Sequence, residues 1–274
     1  MRDSTFQSAA VGFFDGVHLG HQAILSAADV AFTFRSHPLS VLCPERAPRL
    51  VMSLSSRIRA LLATGVKEVI ALEFTEELAS MPPEDFLRTY LAPFKRIRCG
   101  ANWRFGKNGV GDAALARSLG WDVEVCGYKI AGEERISSTR IRNAISAARI
   151  KDANEMLGSS WFVTGRVITG KGLGRTIGLP TVNLAPVDLQ LELPRGVYAV
   201  EVEGHRAIAN WGRAPTMRDN AWKENTLEIH FLSTPVPASK ILEIHFLDFI
   251  REEKVFPSLD ALKAQIKADI ERLY

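Results

Sequence analysis

The chain has 274 residues, 46% hydrophobic and 24% charged, with a formal net charge of +3. At roughly 100–200 residues per domain this length predicts two domains, and the ordinary composition excludes a disordered or low-complexity chain. The slight basic excess gives no electrostatic footprint for nucleic acid, and no apolar run approaches the ~18 residues that a membrane span requires.

Residues 11–25 read VGFFDGVHLGHQAIL: an apolar run, a glycine-bearing turn, then His18 and His21 where a helix should begin. The unpartnered N–H groups and dipole of a helix start attract phosphate, and two imidazoles at i and i+3 can donate to one anion. Gly12, Phe14, Asp15, Gly16 and Gly20 flank them, and a glycine between the histidines is expected to let backbone approach a phosphate closely. From there to residue 100 the chain alternates: strands at 31–34, 69–72 and 96–100, helices at 53–64 and 83–91. That alternation predicts a mostly parallel sheet with ligands at its carboxyl edge. Cys43, Cys99 and Cys126 are widely spaced and form no C-x-x-C pair. They point to a reducing interior, and with no signal peptide at the N-terminus the expected location is the cytoplasm.

The segment ISSTRIRNAISAARIKDANEMLG, 136–158, reads as one helix with an apolar stripe of Ile141, Ala144, Ile145 and Ala148, ended by Gly158. Ser137, Ser138, Thr139, Arg140 and Arg142 at its start could hold phosphate oxygens. Beyond it the texture becomes short β-rich runs between Gly and Pro: 161–168, 196–202, 206–210, 226–232 and 241–246. These predict an antiparallel barrel or sandwich, closed by a helix at 258–273. LEIHFL occurs at 227–232 and again at 242–247, as expected of neighbouring strands in one sheet. Residues 165–171 match G-x-x-x-x-G-K, but Gly172 follows where a P-loop needs Ser or Thr, and Pro180 interrupts the helix it should open. A glycine-rich flap carrying Gly170, Lys171, Gly172, Gly174 and Arg175 fits better. Thr181 and Asn183 alternate after it, so both oxygens can face one cation, and Glu228 shares a strand face with His230, where it could take a proton.

Taken in order, these motifs resemble the prokaryotic bifunctional riboflavin kinase and FAD synthetase family over nearly the whole chain. GFFDGVHLGH and ISSTRIR resemble its adenylyltransferase motifs, and CGANWRFGKNGVGD at 99–112 resembles a further stretch that places Asn102 and Phe105 near the flavin. GKGLGRTIGLPTVN, GVYAV, ANWGRAPTM and ENTLEIHFL resemble its kinase module. The resemblance implies a Rossmann-like α/β nucleotidyltransferase domain at 1–158 and an antiparallel β-barrel riboflavin kinase domain with a C-terminal helix at 159–274. It implies ATP as co-substrate, Mg²⁺ at Thr181 and Asn183, Glu228 as base for riboflavin phosphorylation, and Asn210 and Gly212 at the flavin. His18 and His21 would act in FMN adenylylation, with Ser137, Ser138, Thr139, Arg140 and Arg142 on the leaving pyrophosphate. The expected partners are riboflavin, FMN and ATP, with neither nucleic acid nor membrane.

Three departures stand out. The stretch between HLGH and AFTFRSHP is shortened, which truncates either the first helix or the next strand. Arg35-Ser36 replaces Asp-Pro, and STPVPASK at 233–240 replaces a D-x-Y-G segment. The alternative is therefore a riboflavin kinase whose first domain binds nucleotide but turns over slowly.

Overall fold

The structure is a computed structural model that describes residues 6–168, 181–191, 193–213, 225–232, 239–254 and 256–271. It divides into two compact units, Met1–Thr139 and Arg140–Tyr274.

In the first unit the elements run β1 (Ser8–Val11), α1 (Leu19–Leu25), β2 (Val30–Phe34), α2 (Leu39–Leu42), α3 (Leu54–Ala63), β3 (Glu68–Leu72), α4 (Glu76–Ser80), α5 (Pro83–Phe86), β4 (Arg96–Gly100), α6 (Ala113–Ser118) and β5 (Asp122–Cys126). A π turn, Leu87–Leu91, extends α5. A small hairpin, β6 (Ile130–Ala131) with β7 (Glu134–Arg135), follows. The five main strands are all parallel in the order β3-β2-β1-β4-β5. The order reverses between β1 and β4, and such a switch point opens a crevice at the carboxyl ends of the strands. Ala9, Val11, Phe32, Ile97 and Cys99 form the core under it with Phe86, Leu87 and Leu91. α1 has seven residues and β2 has five.

Asp29 ties the start of β1 in place. Its Oδ2 accepts the amides of Gln7 and Ser8 at 2.9 and 3.1 Å, and its Oδ1 takes the Lys67 ammonium at 2.7 Å. The Lys67 bond, joined by that of the Gln7 amide, lowers the carboxyl pKa from 3.8 to about 2. A carboxyl depressed by folding stabilises above its unfolded pKa and loses that contribution as pH falls through the folded value. Asp29→Asn is expected to cost about 1 kcal/mol at pH 7 and to flatten the loss of stability between about pH 4 and 2 in urea titrations.

The second unit begins within α7 (Ser138–Ser146), followed by α8 (Ile150–Leu157). The single helix expected over 136–158 is thus two. Ala148 takes φ 57°, its N–H bonds to Ile145 O, and Arg149 N–H bonds to Ala144 O at 2.8 Å. That pair of bonds is a Schellman ending with alanine in the position glycine usually fills. Gly158, at φ 74°, ends α8 as expected. The strands β8 (Trp161–Ile168), β9 (Thr181–Pro186), β10 (Gly196–Val202), β11 (His205–Arg213), β12 (Asn225–Phe231) and β13 (Ile241–Arg251) close an antiparallel barrel in the order β10-β11-β12-β9-β8-β13. The two LEIHFL copies lie on β12 and β13, which are separated by β9 and β8. They share a barrel and do not pair, contrary to the expectation of neighbouring strands.

The last helix, α9 (Leu259–Glu271), is held to the barrel by a buried ion pair. Arg251 at the end of β13 donates Nε to Asp269 Oδ2 at 3.0 Å and Nη2 to the same oxygen at 2.8 Å; Gln265 bonds Oδ1. The side chains are 11% and 1% exposed, so removing one partner strands a buried charge. Asp269→Ala is expected to cost about 3–5 kcal/mol, read as an earlier denaturant midpoint accompanied by loss of α9 amide protection.

Candidate functional sites

The loop between β1 and α1 is shaped by residues that are themselves buried. Phe14 and Val17 have φ of 57° and 44°, a conformation costly for a bulky or β-branched residue and maintained only when the surroundings enforce it. Both are nearly inaccessible, and the Asp15 carboxylate accepts the Val51 amide at 2.9 Å and the Met52 amide at 3.3 Å. Ser138 Oγ donates to the Asp15 carbonyl at 2.9 Å, which brings the serine-rich motif to this loop. Asp15 and Phe14 therefore act on the site through the shape of the loop. The glycines serve the same end. A Cβ on Gly12 would lie 2.9 Å from the Phe14 ring, and one on Gly20 would lie 3.1 Å from the His18 ring. Both glycines leave room for side chains of the loop itself.

His18 is the N-cap of α1, and its Nδ1 accepts the His21 amide at 3.2 Å. That bond makes Nδ1 an acceptor, so the ring proton is assigned to Nε2. The His18 and His21 rings stack with centroids 3.5 Å apart. Burial lowers the His18 pKa to about 4; burial, then the neighbouring His18 and Arg57, hold His21 well below its ordinary value. Both are neutral N–H donors at pH 7 before any anion arrives. Among the described residues His21 Nδ1 is buried without a hydrogen-bond partner.

Arg57 belongs to none of the sequence motifs and yet lies at this loop. Its guanidinium is fully buried, lies 4.1 Å from the Phe13 ring centroid, and donates Nη2 to the carbonyl of Phe34 at 2.6 Å. The available signal was a cation on the apolar stripe of α3, between Leu54 and Leu61. Arg35 lies 3.2 Å from Glu73 as an exposed ion pair. Of the flavin candidates in this unit, Asn102 is exposed. Phe105 is in the core, bonded through its backbone to Gly111 in both directions, with Trp103 stacked on it at 4.3 Å. Phe105 thus supports Trp103. Thr139 ends the first unit, while Arg140 and Arg142 follow on α7 and are half-buried.

In the barrel, Leu227, Ile229 and Phe231 are fully buried and alternate with Glu228 and His230. Successive side chains of a strand point to opposite faces, so Glu228 and His230 take the outer face of the barrel. Register then assembles the site. Glu228 is paired with Asn183 on β9 and with Asn210 on β11, while His230 is paired with Thr181. Directly paired residues share a face, which places Thr181, Asn183, Glu228 and Asn210 together. Burial lowers the His230 pKa while Glu228 pulls it upward. Gly212, two residues beyond Asn210, leaves space that the Glu253 carboxylate fills. Gly170, Lys171, Gly172, Gly174 and Arg175 lie outside the described residues.

Among the described residues no helix is long and apolar enough to cross a membrane. Residues 2–140 match the family model of FAD synthetase and residues 157–274 that of riboflavin kinase. The bifunctional riboflavin kinase/FMN adenylyltransferase of Escherichia coli K12 is 33% identical, over 94% of this chain and 89% of the relative. Its counterparts in Listeria monocytogenes and Haemophilus influenzae are 31% and 33% identical over 95% of this chain, covering 89% and 91% of those proteins. A crystal structure from Streptococcus pneumoniae, described as a macrolide-efflux protein, superposes with a TM-score of 0.86 at 30% identity, over 98% of this chain and 94% of that one. With both modules matched and its relatives aligned almost end to end, the chain belongs to the bifunctional riboflavin kinase/FMN adenylyltransferase family of transferases.

Proposed function

We propose that this chain carries out both steps itself: ATP-dependent phosphorylation of riboflavin on the barrel, then adenylylation of the FMN produced, with release of pyrophosphate, at the β1–α1 loop. The observation that carries the reading is the row Asn183, Glu228, Asn210 across three paired strands, which sets a carboxylate between two amide side chains on one face.

In the first step the riboflavin 5′-hydroxyl attacks the γ-phosphorus of ATP, Glu228 accepts the hydroxyl proton, and ADP leaves. Thr181 and Asn183 offer a hydroxyl and an amide oxygen on the face shared with Glu228. Two neutral oxygen donors suit Mg²⁺, which usually takes the rest of its shell from phosphates and water. When bound, the ion neutralises charge on the transferring phosphoryl group. Asn210, with Gly212 two residues on, orients the flavin; Gly170, Lys171, Gly172, Gly174 and Arg175 are the expected phosphate ligands by sequence.

In the second step an FMN phosphate oxygen attacks the α-phosphorus of a second ATP and pyrophosphate leaves. His18 Nε2–H and His21 donate to the charge that develops. Ser137, Ser138 and Thr139, with Arg140 and Arg142 following on α7, hold the leaving group, and Gly12, Phe14, Asp15 and Gly20 keep the loop in shape. Asn102, with Phe105 behind its neighbour Trp103, lies toward the flavin. The division of labour is 1–158 for adenylylation and 159–274 for phosphorylation, although the compact units part earlier, between Thr139 and Arg140. Riboflavin, FMN and ATP are the partners, and the cytoplasm is the compartment.

Incubation with riboflavin, ATP and Mg²⁺, followed by separation of the flavins, tests the reading. FAD is the expected end product. FMN accumulating without FAD would favour the kinase-only alternative, which Arg35-Ser36 and the short stretch between HLGH and AFTFRSHP motivate.

A further inference from the structure

α1 is seven residues long, has no basic residue in its last turn, and yet carries His21. Isolated helices of that length do not hold together in water, and their free carbonyl ends attract cations. The cation is supplied from another element. Arg98, on β4 and 8% exposed, donates Nε to the carbonyl of Ile24 at 2.8 Å and Nη2 to that of Ala23 at 3.2 Å. Its Nη1 is held in turn by Glu124 on β5 at 2.6 Å, and Nη2 also lies 3.6 Å from Cys126 Sγ. Cys126 Sγ is itself 3.8 Å from the Ala23 carbonyl oxygen. Ile97 and Cys99, the neighbours of Arg98 along the strand, point into the core, so the guanidinium belongs to the opposite face, against α1.

We propose that Arg98 is a positioning residue for adenylyl transfer: bridged to Glu124, it clamps the carboxyl end of the seven-residue α1 and thereby fixes His21 one turn away. The inference rests on His18 and His21 being the adenylyl-transfer site. A planar fork is needed because three acceptors on two elements, Ile24 O, Ala23 O and Glu124, are met by one side chain; a lysine ammonium would reach fewer of them. Burial of Ile24 and Leu25 sets α1 on the sheet, while the Arg98 bonds stop it from rocking along its axis. Rocking matters because the stacked imidazoles must meet a phosphate within about an ångström of the productive geometry.

The test uses the full chain, with riboflavin phosphorylation as the internal reference. Arg98→Met is expected to lower kcat/KM for FMN adenylylation about tenfold or more and to speed exchange of the His21 and Gln22 amides, leaving riboflavin phosphorylation within roughly twofold. Arg98→Lys should fall between it and the unaltered enzyme. Val123→Ala loosens the core under the same strand pair without touching α1, and should keep adenylylation within about threefold. Adenylylation at full rate in Arg98→Met, or an equal loss in Val123→Ala, overturns the proposal. Should Arg98→Met not fold, Arg98→Lys decides: slowed adenylylation with intact phosphorylation supports the clamp, and full adenylylation overturns it. His21→Ala run in parallel separates the two ideas. Full adenylylation in that variant would overturn the site reading, whereas a slowed His21→Ala beside a full-rate Arg98→Met overturns the clamp alone.

Discussion

Glu228→Gln is expected to slow conversion of riboflavin to FMN by a factor on the order of 10²–10⁴ while FMN supplied directly is still converted to FAD. The exchange keeps size and hydrogen-bonding shape and removes only the basic oxygen. Glu228 is on the outer face of β12 with Asn183 and Asn210 paired on either side, and Leu227 and Ile229 fix its strand by filling the barrel, so the backbone has no reason to shift. Chromatographic separation of riboflavin, FMN and FAD over time reads both steps in one vessel. If both rates fell together, the assignment of separate sites would be wrong.

His21→Ala should act on the other half, slowing FMN adenylylation by about 10² or more with riboflavin phosphorylation intact, the scale expected for losing one preorganised electrostatic donor. The size follows from the rigidity of the loop. His21 is stacked on His18, its amide is bonded to His18 Nδ1, and the loop before it is held by Asp15, Val51 and Met52. Solvent cannot take over a donor placed by so many fixed neighbours at comparable geometry. The same substitution also deprives the His18 ring of its stacking partner, so part of the loss arises through His18. An FAD yield unchanged from the parent enzyme would remove His21 from the reaction.

Most of the elements were legible along the chain because their signals are local. The alternation of apolar runs located β2, β3 and β4, and the apolar stripe of Ile141, Ala144 and Ile145 located α7, since burial of a face imposes a period on any sequence. The break at Ala148 was not legible. Alanine gives no warning of a left-handed conformation, yet Ala148 adopts one, and its amide and that of Arg149 close the turn. Pairing was equally hidden. Two copies of LEIHFL look like neighbours, but which strand pairs with which depends on closing the barrel, a contest among long-range contacts that no local pattern records.

The candidate sites divide the same way. HLGH, ISSTRIR, LPTVN and the E-x-H strand marked residue types suited to phosphate, cation and proton chemistry, because those chemistries demand particular donors at short spacings. That information is carried in order and identity alone. The supporting residues carry no such mark: Arg57 and Arg98 read as ordinary charges on a helix and a strand. Only folding brought Arg98 against the end of α1, seated the Phe14 and His18 rings where Gly12 and Gly20 leave room, and aligned Asn183, Glu228 and Asn210 in one row. The chemical vocabulary of this protein is local and was readable from the chain. Its geometry depends on contacts between residues tens of positions apart, which exist once the sheet and the barrel have formed.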